Sequence, residues 1–265
     1  MQTFNSKVKE NRIQAGKSAA NAVITQMSNA GNEIDKRLSD TVKTVIIAAL
    51  ATGSINDFNN VTDGIFVNFE KDIKRIIYNK TRNVGEISKK YNEYTENTTY
   101  ELEKFIANSD LSEKLHNTTA NFKKQMKLYT AVALSAEKGP ADVIKEYIMY
   151  KKTPYNSPLI ISNKEKGINI QEPKGKGNYK SVYADLNRIM TFIVFSAYNF
   201  LNRFIWKKNK NIIGYSTYRN SSYPCEICDS LAGRVFPLTE IVIPAHGHCV
   251  CATYPIFSTD LPIYQ

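Results

Sequence analysis

Apolar residues recur at intervals of three and four along most of the first 152 residues, the spacing of one buried helix face. Ile34, Leu38, Val42, Val45, Ile46 and Leu50 form one such stripe, and Ile65, Phe66, Phe69, Ile73, Ile76 and Ile77 form another. Stripes of this kind are packing surfaces. Thr98 and Glu101 have the spacing of a capping box ahead of Leu102, Phe105 and Ile106. Gly139-Pro140 closes one helix and opens the next, which carries Val143, Ile144, Tyr147 and Ile148. The pattern predicts a helical array over residues 1–152, broken at Gly53-Ser54, at 108–110 and at Gly139, with no internal repeat.

The character of the chain then changes twice. Residues 153–178 hold Pro154, Pro158, Pro173, Gly167, Gly175 and Gly177 in a polar, basic stretch without sustained period, which predicts a linker or extended arm. A long helix is expected over 179–206, with Val182, Leu186, Ile189, Ile193, Ala197, Phe200, Leu201 and Phe204 on its apolar side. Beyond it, residues 212–218, 234–238 and 250–256 are short strand candidates set between prolines and glycines. The expected class is α+β, mainly α. It comprises a helical region (1–152), a basic arm (153–178) and a small β-rich C-terminal domain introduced by the long helix (179–265).

The strand candidates frame every cysteine. Cys225, Cys228, Cys249 and Cys251 lie within 27 residues, and two of the three histidines, His246 and His248, sit beside the second pair. A Cys-x-x-Cys turns two sulfurs to one side, where they can share one ion. Seventeen residues later the chain reads His246-Gly247-His248-Cys249-Val250-Cys251. On a strand Cys249 and Cys251 would point the same way, and His246 would reach back from a turn eased by Gly247. Structural zinc held by Cys225, Cys228, His246 and one or both of Cys249 and Cys251 is the expectation, with His248 outside. Two disulfides, in any of three pairings, or unmodified thiols are the alternatives. No acid stands ready to act as a base, so the ion is expected to hold the fold and not to activate water.

Other chemistry fits less well. Pro224-Cys225-Glu226-Ile227-Cys228 matches half of a nucleobase-deaminase signature, but the upstream His-x-Glu is missing, since His116 is followed by Asn117 and Thr118. No βαβ pattern surrounds the pair, against a thioredoxin-like redox site. Zinc ribbons usually pair two Cys-x-x-Cys motifs, and only one is present.

Composition adds a charge asymmetry. Hydrophobic residues make up 42% of the 265-residue chain and charged residues 23%, a globular composition. The net charge of +10 is carried by residues 151–224, with 13 basic against 3 acidic side chains. Residues 186–224 contain no acid while holding Arg188, Arg203, Lys207, Lys208, Lys210 and Arg219. Such a stretch suits a polyanion, and Arg203, Lys207, Lys208, Lys210 and Arg219 are the candidate contacts to nucleic acid. The polar N-terminus lacks the form of a secretory signal, and the longest apolar runs, 44–56 and 189–202, are too short to span a bilayer.

The cysteine and histidine pattern resembles that of the minor head, or head morphogenesis, proteins of tailed bacteriophages, the phage Mu F-like family, especially versions from phages of gut Bacteroidetes. Those proteins end in Cys-x-x-Cys, Leu-x-Gly and His-Pro-x-Cys-Arg-Cys. The counterparts here are Cys225 and Cys228, Leu231-Ala232-Gly233, and His246 through Cys251. The segments 135–147 and 177–183 are also similar, so the likeness covers about residues 135–257. Two positions depart from it: Phe192 and Ile193 replace a Thr-Glu pair, and Val250 replaces the arginine between the last cysteines. The resemblance implies a non-enzymatic virion protein of the head and portal vertex, present in several copies and in the host cytoplasm during assembly. Its implied partners are the portal, other capsid proteins and non-specific double-stranded DNA, with no membrane. A nucleic-acid-acting enzyme or toxin-like effector, such as a metal-dependent nuclease, is the alternative, for which only Glu226, Asp229 and Glu240 lie near the cysteines in sequence.

Overall fold

The computed structural model describes residues 2–167, 169–173, 179–220 and 224–260. Its helices are α1 (Gln2–Ala51), α2 (Phe58–Tyr91), α3 (Thr99–Ala107), α4 (Leu111–Ser135), α5 (Pro140–Tyr150), α6 (Pro158–Glu165), α7 (Val182–Trp206) and α8 (Glu226–Leu231). The strands are β1 (Ile212–Tyr218), β2 (Val235–Phe236) and β3 (Ala252–Phe257). The chain is therefore mainly α, with a small antiparallel sheet near its C-terminus, as its sequence pattern predicts. No helix among the described residues is long and apolar enough to cross a membrane.

Packing divides the chain into two units, neither a continuous segment. One holds Met1–Ala30, Ile77–Ser109 and Met190–Gln265, and the other holds Gly31–Ile76 and Asp110–Ile189. This differs from three consecutive regions because α1, α2 and α7 each contribute a stretch to either unit.

In the second unit the predicted stripes are buried. Ile34, Leu38, Val42, Val45 and Ile46 of α1 lose almost all exposure, as do Phe66, Phe69 and Ile73 of α2. Phe122 of α4 meets Phe66 edge-on at 5.4 Å and Phe69 at 5.0 Å, the tilted geometry that aromatic quadrupoles favour. The first part of the expected arm is helical. Ser157 caps α6 by accepting the Ile160 N–H at 3.3 Å, and Leu159 and Ile160 are buried, so Pro158 begins a helix where a linker was predicted. Residues 168 and 174–178 of that arm, including Gly177-Asn178 of the resemblance, lie outside the described residues.

A further break, at 92–98, carries no glycine or proline. The Tyr94 N–H donates to Lys89 O at 2.9 Å and that of Glu93 to Lys90 O at 3.3 Å, with Glu93 at φ 51°. This is a Schellman stop built on a glutamate in the left-handed region. The capping box expected at Thr98 does not form, and the Asn97 side chain instead accepts the Thr99 N–H at 2.8 Å.

The first unit positions the cysteines. Strand β1 lies between β2 and β3, antiparallel to both, with Tyr215 opposite Phe236 and Tyr218 opposite Ala252. Its β-branched and aromatic residues suit a strand with two covered faces. At Gly214 a Cβ would stand 2.7 Å from Phe236 O, so the absence of a side chain is what lets β2 approach. Trp206 of α7 packs with Ile212, Tyr215 and Phe236. A polar network fixes the helix end: the Trp206 indole donates to Asn92 Oδ1 at 2.5 Å, while Asn92 and Ser88 both donate to Asn202 Oδ1, at 2.8 and 2.6 Å.

Beyond β3, Asp260 receives two bonds from Arg12, at 2.8 and 2.5 Å, and the Phe257 N–H at 2.8 Å. Burial pushes the carboxyl upward, but these donors outweigh it and hold it below the usual carboxylate range. A depressed carboxyl contributes stability above its unfolded value, and that contribution fades as pH falls through the folded value. Asp260→Asn should therefore cost about 1–3 kcal/mol at pH 7. In thermal unfolding the gap from the parent chain should narrow as pH falls below the usual carboxylate range, and a gap independent of pH would contradict the assignment.

Candidate metal centre

Past β1 the chain turns into Cys225, whose extended backbone (φ −150°, ψ 100°) makes it the N-cap of α8. Its sulfur takes the place of a capping hydroxyl and accepts the Cys228 N–H at 3.4 Å. One helical turn then brings the Cys228 sulfur to the same side. The short helix is fastened to the sheet on its far end: Gly233 N–H donates to Thr217 O at 2.8 Å, and the Thr217 hydroxyl donates to Leu231 O at 2.7 Å. Gly233 sits at φ +78°, a conformation open mainly to glycine.

The second ligand-bearing segment returns after β2. The Tyr215 hydroxyl donates to Glu240 O at 2.9 Å and accepts the Val242 N–H at 3.3 Å, which ties this loop to the central strand. Ile243 is buried against the cysteines, and the Cys249 N–H closes a turn onto His246 O at 3.0 Å. Strand β3 starts only at Ala252, so Cys249 and Cys251 occupy the segment leading into it and not the predicted strand. Both are nevertheless buried.

These two segments bring the predicted sulfurs and His246 together. His246 Nε2 lies 3.3 Å from both Cys225 Sγ and Cys228 Sγ, and Cys228 Sγ lies 3.8 Å from Cys249 Sγ. Cys225, Cys228 and His246 form one group with ligand atoms within 4.8 Å of one another, and Cys228, Cys249 and Cys251 form a second. Cys228 belongs to both. All four cysteines are free, with no disulfide between them, and either group could hold a metal ion. His248 is exposed on the rim.

The surroundings suit a soft or borderline cation. A cavity of about 280 Å³ is lined by the four cysteines, both histidines, Arg219, Pro224 and Val250, with no carboxylate among them. Leu231, Val242, Ile243 and Ala245 pack around the sulfurs. Burial pushes the Cys228 thiol up to about 12. Hydrogen bonding from Cys251, joined by backbone N–H groups, lowers Cys249 to about 5, and Cys251 is driven upward in return. Without a cation the cluster thus favours one thiolate shared among its neighbours, and a bound ion would displace the remaining protons.

The basic candidates are not brought together. Arg203 is buried beside Tyr215, so it is no surface contact; the apolar face of α7 carries it inward. Arg219 pairs with Asp229 at 2.8 Å. Lys207, Lys208 and Lys210 are exposed on the turn before β1, whereas the cysteines follow its other end. Six residue steps of strand separate the two ends, about 20 Å. Tyr215, which anchors the second ligand loop, escaped the sequence reading because a tyrosine in a strand reads only as packing.

The fold and cluster define a mainly helical α+β protein with a cysteine and histidine centre able to hold a metal ion. No protein-family model, curated protein or solved structure matches the chain.

Because Cys228 is shared by both groups, Cys228→Ser should weaken metal uptake by more than about 100-fold, beyond the range of an outer-shell change. His248→Ala should weaken it little. Equal losses in competition titrations with a chelator would exclude this arrangement.

Proposed function

We propose that the chain is a structural component of a tailed-phage virion, a minor head protein whose C-terminal part is held by one zinc ion. The observation that carries this reading is the convergence of Cys225, Cys228, His246, Cys249 and Cys251 in a cavity without carboxylates. The same residues carry the resemblance to head morphogenesis proteins. Zinc fits the donor set, since thiolates with imidazole are its usual structural ligands. A tetrahedral zinc with bonds of about 2.3 Å to sulfur and about 2.05 Å to nitrogen spaces its ligands by about 3.8 Å and about 3.6 Å. The spacings of 3.8 and 3.3 Å are close to these.

The role is architectural. The ion joins two segments of a loop-rich region, in a cavity whose lining holds no carboxylate. The portal and neighbouring capsid proteins are the partners this reading assigns. Packaged DNA would meet the exposed turn carrying Lys207, Lys208 and Lys210 through its phosphates alone, without sequence readout.

Two measurements test the proposal. Antibodies against the chain should detect it in purified particles of the phage that encodes it, at a fixed number of copies per portal. Its absence from particles would refute the virion role. Binding to duplex DNA should fall steeply with salt, with a log–log slope of about −3 if three lysines each displace a counterion, and Lys208→Ala should flatten that slope by about one. Binding indifferent to salt, or unaffected by loss of the lysines, would remove DNA from the partners.

A further inference from the structure

Within the first unit, Tyr91 of α2, Tyr198 of α7 and Tyr218 of β1 each bury a hydroxyl oxygen that has no hydrogen-bond partner among the described residues. The Nδ2 of Asn202, also on α7, is in the same position. A buried donor or acceptor left unmet is costly, and native proteins rarely keep several together. We propose that these four groups form an internal hydration site, in which bound water joins α2, α7 and β1.

The groups are neighbours, and Gly16 of α1 marks the place. A Cβ at that glycine would stand 3.2 Å from Tyr91 Oη, 3.5 Å from Thr253 O and 3.6 Å from the Tyr218 ring. Burial pushes all three phenols above their ordinary value, Tyr198 to about 12. Tyr198 adds to the push on both Tyr91 and Tyr218, and Tyr91 adds to that on Tyr218. All three therefore stay protonated at neutral pH, each with a proton to donate and lone pairs to accept. The Asn202 amide, one helical turn after Tyr198, faces that hydroxyl and offsets part of its push without reaching hydrogen-bond geometry.

The surroundings keep these groups where they are. Tyr198 and Asn202 have no solvent exposure. Asn202 Oδ1 accepts from Ser88 and from Asn92, at 2.6 and 2.8 Å, so its carboxamide is fixed and Nδ2 cannot swing to another partner. One amide donor and three hydroxyls able to give or take a proton make a mixed lining. Water, with two protons and two lone pairs, uses both capacities, whereas an ion of either sign uses one. A buried water makes about three hydrogen bonds, so four groups suit roughly one or two molecules. None of the four is a metal-ligand candidate, and the site depends on neither the zinc nor the virion role.

The test uses the full chain with Tyr91→Phe, Tyr198→Phe and the double substitution, which remove hydroxyls and keep the rings. Where a hydroxyl binds water, its loss strands the remaining groups, and each single substitution should lower Tm by about 2 °C or more. The double substitution should lower it by less than the sum, because the same water serves both phenols. In a crystal structure of the unsubstituted chain, ordered water should lie within about 3.2 Å of at least two of the four groups. A Tm equal to or above that of the parent in Tyr198→Phe would mean that the hydroxyl was idle and would overturn the proposal. Additive losses would do the same, as would crystals in which the hydroxyls bond directly to one another with no water among them.

Discussion

Two segments separated by seventeen residues meet at the Cys228 sulfur, and the region around it depends on that meeting. Neither segment has much regular structure: α8 spans only Glu226–Leu231, and residues 237–251 contain no strand or helix. A loop of that kind cannot bury enough apolar surface to offset the entropy of fixing its backbone. Thiol burial alone works against it, since beyond one shared thiolate the grouped sulfurs resist ionisation without a cation. An ion reverses the sign of this contribution, turning mutually repelling groups into its ligands.

The sheet supplies the register within which the ligands can meet. β1 is the strand to which both segments are tied, the first through Thr217 and the second through the Tyr215 hydroxyl. These anchors lie on residues two apart, which in a strand point to the same side. One face of one strand therefore carries both tethers, while Trp206, Ile212 and Phe236 pack around Tyr215 to hold that strand against α7. Asn202 and Asn92 lock the end of α7 from which β1 departs. Order passes from the helix to the strand, and from the strand to the two ligand loops.

What the sequence made legible follows the same division. Long amphipathic helices announced themselves through the spacing of Ile34, Leu38 and Val42, because a buried face repeats over many turns. β1 was legible to the residue, since β-branched and aromatic side chains fill five of its seven positions from Ile212 to Tyr218. The five metal-ligand candidates were legible because cysteine and histidine are scarce and their clustering stands out. The stop at Glu93 was hidden, as the left-handed position usually filled by glycine holds a glutamate whose cost is absorbed by two backbone bonds. α6 was hidden by its prolines, which read as breakers although one of them opens the helix. The division into discontinuous units could not be read locally, because nothing within a helix marks where its packing partners change.

Arg203 shows why charge counted along a chain misleads about surface. An acid-free run of residues 186–224 looks like one basic patch, yet its charges meet four different fates. Arg188 pairs with Asp185 one helical turn earlier, Arg203 is carried inward by α7, and Arg219 reaches across to Asp229 beside the cysteines. Only the turn around Lys208 keeps several cations exposed together. A helix rotates successive charges through all directions and a strand then displaces the survivors by about 20 Å. Any anion drawn to this region would consequently be drawn to the turn before β1. The cysteine and histidine cluster lies at the opposite end of that strand, and Arg219, the cation in its lining, is already engaged by Asp229.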